Sequence, residues 1–396
     1  MMKVVVNMKR AAAVVALVAV LSGCTTVKGW FTDDKKAAEK AAVEPLPLEK
    51  FEASIKIDKL WSASAGKGEQ LLGTRQGPAV SDGHVYAAAI EGGVRALDLQ
   101  TGKELWHHKM KEDRVSAVGA GEGLVVIGTL AGKVIALDPA TGEEKWTAQA
   151  TNEVIAPPVI GQGNVLVHAN DGQVVCYQVT DGTRRWFWNR EQPPLIVRGN
   201  GPVTLGPGMV FVGNDDGTMS ALALADGHSL WDQVVGQPEG RTELERMADV
   251  DGAPVLDGTT LYASSYKNAT IAIDGPSGRP MWSRDNGGVG GLGMGPSSLV
   301  LSDNGGVVWS LDKASGGSLW SNQKLLRRSL TAPVVQGDYA VVGDFDGYLH
   351  WLRMDDGELA ARARAGGDPI RAQPVVADGV LVVQNTDGKL TAFRIK

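Results

Sequence analysis

A short phrase that recurs about every 40 residues constrains the fold of this chain more than any other feature. Each copy contains an alternating apolar strand that ends in Ala-Leu-Asp or a close variant, then a Thr-Gly or similar turn, and then a tryptophan. These tryptophans follow one another at steps of 45, 40, 40, 45, 51 and 38 residues, and they are Trp61, Trp106, Trp146, Trp186, Trp231, Trp282 and Trp320. A further step of 41 residues reaches Ala361, in a degenerate copy. A period of this length with several short strands per unit is typical of a β-propeller.

Each repeat predicts four antiparallel strands. In the first complete unit, the inner strand lies at 78–80, the second at His84–Ala89 and the third at Val94–Asp98, and Leu105–Trp106 opens the outer strand. Turns rich in Gly, Asp and Thr separate these runs, as hairpins require. The third strand can be followed in eight copies, which include Val94, Val134, Val174, Met219, Ile271, Val307, Leu349 and Leu390. We therefore predict an all-β, eight-bladed propeller, with a seven-bladed ring as the alternative count.

The two ends of the repeat region complement each other. The last copy reaches Lys396 without an outer strand, whereas Lys59–Trp61 is an outer strand that has no blade of its own. Pairing these segments would close the ring and remove the exposed sheet edges that otherwise invite aggregation. We predict that the N-terminal strand completes the last blade.

Length and charge bear on the domain count and on the partners. A chain of 396 residues ordinarily suggests two or three domains. Because the repeat runs almost throughout, we predict a single propeller domain over residues 54–396. The formal net charge is −6 and no basic stripe stands out, so nucleic acid is not expected as a partner.

The first 23 residues have the pattern of a secretory signal peptide. A short basic region at 8–10 precedes an apolar run at 11–21, which is too short to span a bilayer as a mature helix. The run leads into Leu-Ser-Gly-Cys24, which resembles the bacterial lipobox. That resemblance implies cleavage before Cys24 and a lipid on its sulfur, and Thr25 in place of Asp implies passage to the outer membrane. The alternative is an ordinary signal peptide that happens to contain a cysteine.

Residues 24–53 are predicted to form a flexible tether between the lipid and the propeller. The stretch at 33–42 is charged and rich in alanine, and Pro45 and Pro47 prevent a helix from continuing. Such a composition favours a short frayed helix or a disordered linker.

The repeated phrase is similar to the tryptophan-docking repeat of the quinoprotein dehydrogenases, which are eight-bladed propellers. Those enzymes clamp pyrroloquinoline quinone over a ring formed by two adjacent cysteines and bind Ca²⁺ in the central channel. Here Cys176 is the one cysteine after Cys24, so the clamp is missing. We predict no catalytic residue, no cofactor and no enzymatic activity, with a short quinoprotein-like periplasmic oxidoreductase as the alternative.

Four acidic turns invite a Ca²⁺ interpretation. They all lie between the second and third strands of their repeats, at 214–217, 303–306, 344–347 and 385–388. An Asx-Gly pair at that place is what a tight hairpin needs, and none of the four has the twelve-residue loop of an EF-hand. We predict turns rather than metal sites.

Two interruptions of the repeat carry a second resemblance. They read EQPPLIVRG at 191–199 and GRTELERMADVD at 240–251. With the signal, tether and propeller, these segments make residues 8–396 similar to the BamB family, the propeller lipoproteins of the outer-membrane β-barrel assembly machinery. In that family, a Leu-x-Leu-Arg-Gly stretch and an Asp-x-Asp stretch contact the periplasmic POTRA region of the insertase BamA. The resemblance implies that the partner-binding residues are Leu195, Val197, Arg198, Asp249 and Asp251, with Val197 replacing the usual Leu.

The two insertions have a physical interpretation of their own. They extend consecutive connections between blades, so both emerge on the same face of the ring. Apolar residues beside Arg198 are a combination enriched at interface hot spots. Asp249 and Asp251 either contact the partner directly or brace Arg198 or Arg246 within the protein, and the two roles can coexist.

The resemblance implies a non-enzymatic scaffold on the periplasmic face of the outer membrane, attached through its lipid. Its implied partners are the BamA POTRA domains and the other lipoproteins of the machinery, and nascent outer-membrane proteins are a further candidate through strand addition. The alternative within the binding class is a generic lipid-anchored scaffold with another partner.

Overall fold

The computed structural model describes residues 43–68, 74–110, 113–288 and 290–396. The predicted signal peptide, Cys24, Thr25 and most of the predicted tether lie outside these residues. Leu48–Lys396 belongs to one compact unit.

The described residues form 32 strands in eight four-stranded antiparallel sheets. The strands up to the fourth blade are β1 (Ile57–Ser64), β2 (Ala79–Ser81), β3 (His84–Ala89), β4 (Gly93–Asp98), β5 (Glu104–His108), β6 (Val115–Gly121), β7 (Leu124–Thr129), β8 (Lys133–Leu137), β9 (Glu144–Gln149), β10 (Val159–Gly161), β11 (Asn164–His168), β12 (Val174–Gln178), β13 (Arg184–Trp188), β14 (Thr204–Gly206), β15 (Met209–Gly213), β16 (Thr218–Ala223) and β17 (Ser229–Val234). The remaining strands are β18 (Val255–Asp257), β19 (Thr260–Ser265), β20 (Ala269–Asp274), β21 (Pro280–Arg284), β22 (Leu292–Met294), β23 (Ser298–Ser302), β24 (Val308–Asp312), β25 (Ser318–Asn322), β26 (Val334–Gln336), β27 (Tyr339–Gly343), β28 (Tyr348–Arg353), β29 (Leu359–Arg364), β30 (Val375–Ala377), β31 (Val380–Gln384) and β32 (Lys389–Ile395). A one-turn helix, Glu243–Arg246, lies between β17 and β18.

The sheet order confirms both the eight blades and the predicted closure. Seven sheets contain four consecutive strands each, from β2-β3-β4-β5 to β26-β27-β28-β29. The eighth has the order β1-β32-β31-β30, so the strand nearest the N-terminus supplies its outer edge. Trp61 of β1 lies opposite Ala392, and Ser64 lies opposite Lys389. The seven-bladed alternative is wrong.

The repeated tryptophans dock seven of the eight blades onto the next blade. Trp146 of the second blade donates its indole N–H to the carbonyl of Val179 in the third blade at 3.0 Å, and its ring covers Gly182 in the same blade as Val179. Gly182 has a φ of +73°, and a Cβ there would lie 2.5 Å from the indole, so the turn needs glycine for two reasons. The same N–H to carbonyl bond, at 2.8–2.9 Å, links Trp61 to Leu99, Trp106 to Pro139, Trp186 to Leu224, Trp231 to Gly275, Trp282 to Lys313 and Trp320 to Met354.

Each docking tryptophan lies opposite a small residue on the third strand of its own blade. Trp146 lies opposite Ala136, and Trp186 lies opposite Cys176, which explains a buried cysteine as a small apolar filler. The seventh blade reverses this pair, because Ala361 on its outer strand faces Trp351 on its third strand. The degenerate copy therefore still has one tryptophan at this level of the sheet, on the other strand.

The antiparallel order fixes which loops share a face of the ring. In each blade, the hairpin between the second and third strands and the connection that leaves the outer strand emerge at the same end. We call that end the connection face. Its blade-to-blade connections are residues 109–114, 150–158, 189–203, 235–254, 285–291, 323–333 and 365–374, together with the segment that joins β1 to β2.

Candidate partner-binding site

Two of these connections are longer than the others. The first connection, 189–203, joins the third and fourth blades, and the second connection, 235–254, joins the fourth and fifth. They contain the five residues that the sequence predicts to bind a partner. Both lie on the connection face, as the repeat predicts.

The start of the first connection is held by polar contacts to the fourth blade. Arg190 donates to Asp216 at 2.6 Å and to Asp232 at 2.9 Å. Gln192 donates its amide N–H to Asp215 Oδ2 at 2.6 Å. These bonds fix the loop before it reaches its apolar residues.

The middle of the first connection presents an apolar residue and a cation side by side in sequence. Leu195 is 42% exposed, and Arg198 is half-exposed. One terminal nitrogen of Arg198 lies 2.8 and 3.0 Å from the two carboxylate oxygens of Glu153, which belongs to the preceding connection. The backbone N–H of Val197 donates to Asp249 Oδ1 at 2.8 Å.

Asp249 and Asp251 lie beneath this surface. Asp249 is 0% exposed and Asp251 is 4% exposed. Among the residues that the structure describes, Asp251 pairs with Arg75, whose guanidinium nitrogen lies 4.0 Å from Asp251 Oδ2. Burial raises the pKa of Asp249, and it raises the pKa of Asp251 well above its ordinary value.

The bracing role proposed from the sequence has different partners in the structure. Arg198 pairs with Glu153, and Arg246 pairs with Glu243 on its own helical turn. Asp249 instead holds the backbone of Val197. The aspartate therefore shapes the first connection through the main chain and not through an arginine.

A buried histidine supports the end of the first connection. His168 Nδ1 lies 3.0 Å from the carbonyl of Gly201, and its Nε2 accepts from the Asn200 side chain at 3.0 Å. These partners place the ring proton on Nδ1. Burial lowers the pKa of His168 to about 4, so the ring stays neutral and acts as a structural support.

The second connection presents a short capped turn. Thr242 Oγ1 accepts from the N–H of Glu245, and the Glu245 carboxylate accepts from the N–H of Thr242, which is a capping box. Lys267 of the fifth blade donates to the carbonyl of Glu239 at 2.6 Å. Leu244 in this turn is 64% exposed, so its apolar side chain faces solvent from a backbone that these bonds hold in place.

Sequence reasoning missed Glu153, Asn200 and Asp215 as parts of this site. Glu153 lies in an ordinary connection, and Asn200 follows the recognised stretch. Asp215 belongs to an acidic turn for which the sequence predicts only a hairpin. Asp216 in that turn does make the hairpin bond, to Thr218 at 3.1 Å, whereas Asp215 is directed to Gln192.

A cavity of about 400 Å³ opens beside these connections where the inner strands meet. Residues from around the ring line it, including Gly119, Pro158 and Pro202, and its charged lining residues are Arg75, Arg198 and Asp251. The described cysteine, Cys176, is buried in β12 away from this lining, and burial raises its pKa to about 12. Its thiol is therefore no part of a quinone clamp.

Within the described residues, no helix is both long enough and apolar enough to cross a bilayer.

Comparison with known proteins decides the family. A family model described as "Outer membrane protein assembly factor BamB" matches residues 57–117, 90–322 and 303–396, which cover nearly all of the propeller. The chain belongs to the BamB family. An outer membrane protein assembly factor BamB of Xanthomonas campestris is 61% identical over 405 residues, with all of both chains covered. The BamB of Pseudomonas aeruginosa is 44% identical, over 97% of this chain and 98% of its own.

Solved structures agree with this membership. The crystal structure of BamB from Moraxella catarrhalis superposes with a TM-score of 0.77 at 28% identity, over 86% of this chain and all of that one. A europium-containing methanol dehydrogenase has a TM-score of 0.71 at 14% identity, over 85% and 93% of the two chains, which shows a common fold alone. Membership in the BamB family places the chain among non-enzymatic assembly factors of the outer membrane rather than among the quinoproteins.

Proposed function

We propose that this chain is a scaffold of the outer-membrane β-barrel assembly machinery and that it binds the periplasmic POTRA region of BamA through its two long connections. The observation that carries the proposal is the pair of exposed side chains, Leu195 and Arg198, on a loop whose backbone is held from below by buried Asp249. The names of the relatives support the assembly role.

The physical basis is a preorganised hot spot. A loop that is already fixed loses little conformational entropy on binding, so more of the contact energy appears as affinity. Arg198 offers a planar donor that suits a carboxylate, and its bond to Glu153 is exposed enough to be exchanged for one to a partner. Leu195 and Leu244 supply apolar area on the same face.

Attachment to the outer membrane completes the proposal. Cys24 would carry the lipid after removal of residues 1–23, and residues 24–53 would tether the propeller, 54–396, at the periplasmic surface. Two or more acyl chains hold a protein stably on a membrane without a spanning helix. A Cys24→Ala variant should appear in the soluble periplasmic fraction, and its retention in the membrane fraction would contradict the lipid attachment.

Calorimetric titration tests the binding proposal. The protein, purified in detergent, is titrated with the POTRA region of BamA from the same organism, beside an Arg198→Ala variant. The expected result is saturable binding that the substitution weakens about tenfold or more, which corresponds to roughly 1.4 kcal/mol. The matched control is Arg279→Ala in the turn between β20 and β21, on the opposite face, and it should bind like the parent.

Two outcomes would contradict the proposal in different ways. If the intact protein does not bind the POTRA region, the partner is wrong and the generic scaffold with another partner takes its place. If Arg279→Ala and Arg198→Ala weaken binding equally, the partner stands but the assigned face is wrong.

A further inference from the structure

Three buried aspartates from two loops meet beneath the first connection. Asp215 comes from the hairpin between β15 and β16, and Asp249 and Asp251 come from the second connection. One carboxylate oxygen from each of the three lies within 4.8 Å of the other two. All three residues are at least nine-tenths buried, with exposed fractions of 7%, 0% and 4%.

Two of these carboxylates have an oxygen without a hydrogen-bond partner. Asp249 uses Oδ1 for the N–H of Val197, but its Oδ2 finds no donor among the described residues. Asp251 Oδ2 is likewise buried and without a hydrogen bond in the described part of the chain. Leaving a buried charged acceptor unsatisfied costs more than the loss of a neutral hydrogen bond. These unsatisfied oxygens are free to accept a ligand, and they are an observation separate from the proximity of the acids.

The local charge indicates which kind of ligand these oxygens would accept. Three carboxylates contribute three negative charges, and Arg75 at 4.0 Å from Asp251 contributes one positive charge. Gln192 and the backbone of Val197 donate to Asp215 and Asp249 without adding charge. Nearby Asp216 is already paired with Arg190. The surplus equals the charge of one divalent cation.

Burial and the mutual repulsion of the acids act in the same direction. The pKa of Asp215 rises to about 6, and the neighbouring Asp249 contributes to that rise. Asp251 is raised further above its ordinary pKa by burial and by Asp249 and Asp215. Without a counter-ion, both effects oppose the full ionisation of this cluster.

We propose that Asp215, Asp249 and Asp251 bind one hard divalent cation, Ca²⁺ or Mg²⁺. All the donors are oxygens, which these ions prefer, and water from the adjoining cavity, which Asp251 lines, can complete the coordination. The cation would join the hairpin of the fourth blade to the second connection. Since Asp215 holds Gln192 and Asp249 holds Val197, the ion would also stiffen the first connection.

Cation binding at this site can be tested without any partner protein, so the test does not depend on the proposed function. The full mature chain is purified in detergent, dialysed against a chelator and returned to chelator-free buffer at pH 7.5. It is then titrated separately with CaCl₂ and MgCl₂ by calorimetry, and its thermal unfolding is followed at each concentration. We expect one saturable site for at least one of the ions and a rise in Tm of about 3 °C at saturation, which added chelator reverses.

Matched variants assign the site. Asp251→Asn keeps the shape of the side chain and should weaken cation binding by at least about tenfold, because it removes one of the three charged ligands. Asp138→Asn, in an exposed turn of the second blade, should bind like the parent. If Asp251→Asn does not fold, Asp215→Asn takes its place, and unchanged binding by that variant would overturn the assignment.

The competing explanation is that the acids share protons instead of a metal ion. If neither cation binds up to about 10 mM, roughly tenfold above the weakest calcium modules, the cation site is refuted. In that case, we expect acidification to stabilise the parent protein and neither salt to do so. Binding of the POTRA region in the absence of a cation would leave the proposed function intact.

Discussion

The backbone N–H of Val197 donates to the buried carboxylate of Asp249 across 2.8 Å, and these residues lie 52 positions apart in the chain. This bond attaches the loop that carries Leu195 and Arg198 to the loop beside it. Removing it should loosen the surface without disturbing any blade.

We expect Asp249→Ala to lower the free energy of unfolding by about 1–3 kcal/mol, because it leaves the part-buried N–H of Val197 without its acceptor. Asp249→Asn keeps an acceptor oxygen at the same place and should cost much less. Urea denaturation gives the stability, and hydrogen exchange at the Val197 amide reports the bond directly. Faster exchange in the alanine variant but not in the asparagine variant is the expected pattern, and equal exchange in both would contradict it.

The docking of the blades predicts unequal effects for two glycines of the third blade. Gly163 and Gly182 have φ values of +75° and +73°, so alanine strains the backbone equally at both. Around Gly163 there is no atom within 4 Å of the added Cβ, whereas at Gly182 the Cβ would lie 2.5 Å from the indole of Trp146. We expect Gly163→Ala to cost about 1–2 kcal/mol and Gly182→Ala to cost about 3–5 kcal/mol, as the loss of the tryptophan itself would.

Thermal and urea unfolding of the two variants, with Trp146→Ala beside them, measure this difference. Gly182→Ala combined with Trp146→Ala should cost less than the sum of the two single changes, because both act on one contact. Equal costs for the two glycine variants would show that only the backbone strain matters.

A buried ion pair in the seventh blade gives a third prediction. Arg328 donates to Asp344 at 2.8 Å, with both side chains almost fully buried, and His350 lies 3.0 Å from the same carboxylate. Burial opposes the ionisation of Asp344, but the hydrogen bond from His350 and the other donors outweigh it and hold its pKa below the ordinary value. Arg328→Leu should cost about 3–5 kcal/mol, because it leaves this carboxylate with less compensation.

The matching measurement is a double-mutant cycle by urea denaturation. Adding Asp344→Asn to Arg328→Leu should restore part of the lost stability, because the uncompensated charge disappears with it. Strict additivity of the two changes would mean that the pair is not coupled.

The acidic cluster predicts that the free energy of unfolding falls as the pH rises, which is the opposite of what an ordinary salt-bridged carboxylate gives. The pKa of Asp215 rises from 3.8 to about 6 on folding, so the folded state binds the proton more tightly than the unfolded state does. In the presence of a chelator, the stability that comes from this protonation is fully present below the pKa of the unfolded state, and it is lost as the pH rises through about 6. It amounts to at most roughly 3 kcal/mol.

Urea denaturation in chelator between pH 4 and 7.5 tests this prediction. Asp215→Asn should flatten the fall in stability and should be more stable than the parent at pH 7.5. A parent whose stability rises across this interval as much as that of the variant would show that Asp215 is not protonated in the folded state.

The sequence predicted the architecture because the same physical task recurs in each blade. The docking indole needs a small residue opposite it and a glycine beneath it. These residue types therefore recur at fixed positions of the repeat, as Trp146, Ala136 and Gly182 show. The reversed pair of Ala361 and Trp351 could not be foreseen from that phase. It became visible only when the two strands were paired.

The candidate site was predicted less completely, because a local sequence pattern does not show how deeply each side chain is buried. The family motif led to Arg198 and to Asp249, but it does not show that one is half-exposed and the other buried. The pairing of Arg198 with Glu153 joins residues 45 positions apart, from separate connections. Asp215 was hidden for another reason, because a hairpin turn already explained why an acid stands there.

The closure of the ring also constrains the order in which the propeller can fold. Ser62 of β1 and Thr391 of β32 lie within 3.3 Å of each other through their hydroxyls, although 329 positions separate them. The eighth sheet therefore cannot form until almost the whole propeller sequence is available to fold. Until β32 arrives, β1 has no neighbour to occupy its hydrogen-bonding edge, and an unpaired strand edge invites pairing with other chains. A propeller that lost its last strand would thus leave its first strand open as well as its last blade incomplete.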